Sequence, residues 1–90
     1  MRPIHLTDLD QVVRSVIDLE THDRHCKLDE IIRRADIADR YRKRFKRPHP
    51  IFGTGRLGSA IDRPFGPSVT FCDEHYRTCL RDLLERLAAS

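Results

Sequence analysis

The stretch RYRKRFKRPHPIFGTGRLGSA, residues 40–60, decides the fold. Its second half holds Gly53-Thr54-Gly55-Arg56-Leu57-Gly58, the letters of a dinucleotide-binding fingerprint. That fingerprint binds a pyrophosphate only when a strand precedes it, a helix comes after it within a βαβ unit, and an acid stands about 20 residues on. Here Pro48-His49-Pro50 precedes it, and the residues beyond Gly58 read as a connector and a helix. The glycines therefore read as tight-turn residues, with Thr54 placed to cap a short helix over residues 55–62. Free N–H groups at that helix start, with Arg56 beside them, could still hold a phosphate.

The first half of the stretch packs Arg40, Arg42, Lys43, Arg44, Lys46 and Arg47 into eight residues around Tyr41 and Phe45. The two aromatics are four apart and share a helical face. One reading is a surface that neutralises a nucleic-acid backbone. The other is a helix C-terminus, where cations complement the macrodipole while Tyr41 and Phe45 anchor the last turns to the core. Charge along the chain sharpens the question. The net charge of +3 divides into −3 over residues 1–39, +7 over 40–63 and −1 over 64–90. The basic excess is thus one internal patch, able to steer an acidic partner. No helix-turn-helix, zinc-finger or RNA-recognition signature accompanies it.

Outward from this stretch every long apolar period is helical. Leu9, Val12, Val13, Val16, Ile17 and Leu19 form one stripe, and Thr7 is placed as its N-cap with Asp8 and Asp10 in the first turn. A second stripe over residues 23–46 carries Leu28, Ile31, Ile32, Ala35, Ala38 and Phe45, with a bend or break expected near residues 35–39. Pro48 and Pro50 end it. Pro64, Gly66 and Pro67 make a turn-rich connector, and residues 68–71 carry a short, isolated strand signal. Tyr76, Cys79, Leu80, Leu83, Leu84 and Leu87 give the last helix its stripe. The expectation is an all-α single domain over residues 1–90: an irregular bundle of about four helices, one short, with a Pro/Gly-rich loop on each side of the short one.

Composition agrees. The chain of 90 residues is 39% hydrophobic and 34% charged, as soluble globular domains are. No apolar run reaches the roughly 20 residues of a membrane span, and the N-terminus lacks the basic-then-apolar order of a signal peptide. Three cysteines do not form the even, dense set of a small secreted domain, so a cytoplasmic protein without a membrane partner is expected.

The opening Met1-Arg2-Pro3, the pair Ala38-Asp39, and the run His49-Pro50, Phe52, Gly53, Gly55 resemble a family of small uncharacterised alphaproteobacterial proteins. The chain departs from that pattern with Phe52 at a tryptophan position and with its density of Arg and Lys. The resemblance covers the opening and the middle third. It implies the helical fold and no established activity.

A Cys/His set is the remaining constellation. His22 and Cys26 are four apart, as are His75 and Cys79, with His25 and Cys72 close by. Two helix faces could offer a tetrahedral N₂S₂ zinc site from His22, Cys26, His75 and Cys79. Against it, no Cys-x-x-Cys knuckle is present, and Cys79 falls on the leucine stripe, where a free cysteine acts as a small hydrophobe. No metal and no cofactor is therefore expected. Nothing places a nucleophile beside a base and an orienting group, so no catalytic residue is assigned. The leading expectation is a small non-enzymatic helical interaction or adaptor module for a protein partner. The alternative is phosphate-backbone binding through Arg40, Arg42, Lys43, Arg44, Lys46, Arg47 and Arg56. A zinc-stabilised regulatory domain comes third.

Overall fold

Helix α1 runs over Leu6–Val16, α2 over Thr21–Phe45 and α3 over Glu74–Ala89, in a computed structural model that describes residues 3–64, 66 and 72–89. The apolar stripes of the three helices become one core. Val12, Val13 and Val16 of α1 meet Leu28, Ile31, Ile32 and Ala35 of α2 and Tyr76, Cys79 and Leu83 of α3. The β-branched residues of α1 are weak helix formers, and burial in this core is what holds that helix.

Helix α2 is unbroken through residues 35–39, where Ala35, Ala38 and Asp39 are all buried, so the expected bend is absent. Its 25 residues span roughly 37 Å at 1.5 Å per residue. The whole molecule measures 41 Å along its longest axis. The last turns of α2 thus project past the core, and Phe45, expected on the buried stripe, stands 47% exposed. The helix stops where Lys46 turns left-handed at φ 59° and donates its N–H to the Arg42 carbonyl at 2.8 Å.

Among the described residues, three α-helices and one 3-10 turn replace the four helices expected. The 3-10 turn covers only Leu57–Ala60. Gly53 and Gly55 sit at φ 84° and 94°, outside the right-handed region, and Arg56 is extended, so no helix can begin before Leu57. Ile61 is extended again and ends it. Leu57 and Ala60 are nevertheless buried and seal the core between α1 and α2.

Thr7 is not the cap of α1. His5 is, and the Asp8 carboxylate accepts its N–H at 3.1 Å. The connector is clamped reciprocally: Gly66 donates to the Arg14 carbonyl at 3.0 Å, and Arg14 donates back through Nε and Nη2 at 3.0 and 2.7 Å. The strand signal at 68–71 lies outside the described residues. Among the described residues there is no named strand, only an isolated pairing of His49 with Gly53.

Candidate functional site: the end of α2 and its aromatic hairpin

After Lys46 the chain folds back in a tight hairpin. His49 donates its N–H to the Gly53 carbonyl at 2.8 Å, and Gly53 donates to the His49 carbonyl at 3.2 Å. The backbone N–H groups of Ile51 and Phe52 both donate to His49 Nδ1 at 3.0 Å, so the imidazole organises the turn around itself. Phe52 is thereby stacked on the His49 ring, centroids 4.7 Å apart and planes 8° off parallel. His49 meets Tyr41 edge-on at 4.9 Å, and Tyr41 meets Phe45 at 4.5 Å. Guanidinium groups close both ends of this ladder, Arg34 over Phe52 at 5.5 Å and Arg44 over Phe45 at 5.3 Å.

The array reaches solvent. Ile37, Tyr41 and Phe45 recur every four residues along α2, with Ile37 40% exposed and Tyr41 half-buried. Ile51 at the hairpin tip is 79% exposed. Apolar side chains this open, grouped at one corner and rimmed by cations, mark an interaction surface more often than a core defect.

The basic residues expected to act together separate into three groups. Arg40 pairs with Asp36 at 2.8 Å and Lys43 with Asp39 at 3.0 Å, each one turn back on the same helix. Asp39 is buried. Burial works against its charge, and hydrogen bonding, that of Lys43 included, outweighs this and holds its pKa below the usual value. Lys43 is therefore partly structural. Arg56 leaves the patch altogether, crossing to the buried Asp8 of α1 at 3.5 Å. Arg42, Lys46 and Arg47 are exposed and pair with no carboxylate among the described residues; with Arg44 they form the cationic rim.

The glycine loop is shaped by close packing. A side chain at Gly55 would begin 2.8 Å from the Asp39 Cα, and one at Gly58 would strike Gln11 and Asp8. These glycines let the loop wedge between α1 and α2. Two of its amides are engaged within the loop: Thr54 donates to Ser59 Oγ at 3.3 Å and Ser59 to the Arg56 carbonyl at 3.1 Å. The Asp8 carboxylate faces Arg56, the cation beside this loop.

Of the Cys/His set only His22 and Cys26 come together, Nε2 to Sγ at 3.7 Å on the exposed surface. His75 Nε2 donates to the Ile17 carbonyl at 2.6 Å. Cys79 is buried in the core, and that burial pushes its thiol pKa up, away from the thiolate a metal needs. Among the described residues no group of three or more His, Cys, Asp or Glu is gathered for a metal. The four-ligand site read from spacing is not assembled.

Sequence spacing missed the His25–Asp82–Arg24 cluster. Arg24, buried on α2, donates to Asp82 Oδ2 of α3 from Nη2 and Nε at 2.9 and 3.2 Å, and His25 Nε2 lies 3.2 Å from the same oxygen. Burial opposes the charge on Asp82, and Arg24 and His25 overcome it, so its pKa lies below the ordinary value. A histidine beside a carboxylate suggests a relay, but His25 hydrogen-bonds no hydroxyl or thiol among the described residues. Its partner is engaged in joining two helices.

Residues 2–87 match the model of a domain of unknown function, DUF7742. The chain belongs to this family. No curated protein and no solved structure matches it. Among the described residues no helix is long and apolar enough to cross a membrane.

Proposed function

We propose that this DUF7742 chain is a non-enzymatic interaction module whose partner is a protein segment bearing both apolar and acidic side chains. The observation that carries the reading is the solvated face of Ile37, Phe45 and Ile51 set against the exposed cations Arg42, Lys46 and Arg47. Apolar side chains would supply contact area, and the cationic rim would select an acidic partner and speed its arrival. Single-stranded nucleic acid is the second reading, favoured by one specific feature: partly open rings of Tyr41 and Phe45 beside unpaired cations, as in stacking platforms.

One titration separates the two. The protein is mixed with an acidic amphipathic Leu/Glu helical peptide and, in parallel, with a single-stranded oligonucleotide, across a range of salt. The proposal expects peptide binding that survives moderate salt and is lost in the Phe45→Ser/Ile51→Ser double variant. Oligonucleotide binding alone, with a log–log salt slope of roughly 0.7 per phosphate contact, would transfer the function to the second reading. Binding of neither probe would refute both.

A further inference from the structure

The geometry points to His22 and Cys26 as an exposed half-site for zinc, completed by the same pair from a second copy of the chain. The distance between the two ligand atoms makes the case. Zinc bonds of roughly 2.1 Å to nitrogen and 2.3 Å to sulfur, opened to the tetrahedral angle, put the two donors about 3.6 Å apart. His22 Nε2 and Cys26 Sγ already stand 3.7 Å apart. Their i, i+4 placement on α2 puts both side chains on one helix face, within reach of a common ion. Both side chains are exposed. Glu20 and Asp23, also exposed, flank the pair and favour a cation there.

Two ligands do not make a stable zinc site, and no further one is at hand among the described residues. A structural zinc takes four nitrogen or sulfur ligands. A two-fold arrangement of two copies supplies them as N₂S₂, each protomer contributing one imidazole and one thiolate. On binding, each Sγ–H bond breaks, the proton leaves to solvent and the sulfur lone pair forms the metal bond. Two thiolates then neutralise the ion's charge. Affinity consequently weakens as pH falls. This inference does not depend on the α2-end surface, which lies at the opposite end of the same helix.

The test uses the untagged full chain carrying Cys72→Ser, which leaves Cys26 as its one exposed thiol among the described residues. It is titrated with Zn²⁺ during sedimentation velocity, and with Co²⁺ during absorption spectroscopy. Expected are conversion to a dimer at one metal per two chains, thiolate-to-cobalt charge-transfer absorption, and tetrahedral d–d bands. Cys26→Ser and His22→Ala, both at exposed positions, should each weaken metal binding by about tenfold or more while helicity is unchanged. A monomer at every metal concentration overturns the inference, as does a 1:1 complex without a mass change. Metal binding that either variant leaves intact overturns it too.

Discussion

The two parts of α2, up to Arg34 and from Arg40 onward, carry the same kinds of cation in different company. In the first part, Arg24 reaches Asp82 of α3, while Lys27 and Arg34 share Asp62 beyond the 3-10 turn at 2.7 and 2.6 Å. In the second part, Arg40 and Lys43 find carboxylates only one turn back, and Arg42, with Lys46 and Arg47 just past the helix end, finds none among the described residues. Composition hardly distinguishes these arginines and lysines. Acids brought in from distant parts of the chain do. A cation met by such an acid fastens one element to another, and a cation left without one is presented to solvent.

The comparison breaks most visibly at Arg24. Replacing it with methionine leaves Asp82, its side chain only 13% exposed, with His25 alone against its charge. A loss of about 3 kcal/mol is expected, since removing one member of a buried pair strands the other. Thermal unfolding should then fall by about 10 °C or more for a chain of this length. A shift of a degree or two would show that the two parts differ less than the geometry says.

Asp62 sharpens the same contrast through pH. Hydrogen bonds from Lys27 and then Arg34 hold its pKa down at about 2. Because this lies below the unfolded value of about 3.9, the contribution is complete above roughly pH 4 and is lost as pH falls through about 2. The carboxylate is 43% exposed, so screening limits the effect to under about 1 kcal/mol. Urea midpoints of the parent and of Asp62→Asn should differ at pH 5 and converge near pH 2. Parallel curves throughout would remove Asp62 from the set of fasteners.

The smallest effect is expected at the other end. Exchanging Arg42, Lys46 and Arg47 together for glutamine should leave the urea midpoint within about 0.5 kcal/mol of the parent. Lys43 is left in place because Asp39 depends on it. A large loss would mean that these side chains are structural after all.

How much of this organisation is legible in the sequence depends on what each feature rests on. The three α-helices are readable because their stripes are local: Val12, Val13 and Val16 announce a buried face without reference to any other segment. The short fourth helix misleads for the opposite reason. Gly55 adopts φ 94° and lies against the Asp39 backbone of α2, a contact that no local pattern around residue 55 announces. Phe45 looks like a core residue by spacing, yet α2 outruns the core that would have covered it. The six clustered cations at residues 40–47 are plain to see. That Arg40 and Lys43 are paired, and that Arg56 turns to Asp8, requires the partners' positions. Arg24 and Asp82, far apart in sequence, carry no local signal of their pairing at all.

Lys46 ends α2 in the left-handed conformation, a backbone state that a β-carbon makes uncomfortable and glycine accepts freely. The molecule therefore keeps a charged side chain at a position where the plainest residue would fit better. Exchanging Lys46 for glycine should raise thermal stability by about 1 kcal/mol and at the same time weaken capture of an acidic partner. Under the proposed function, robustness and recognition are set against each other at this single residue, and a form stabilised there by selection for heat alone would bind an acidic partner less well.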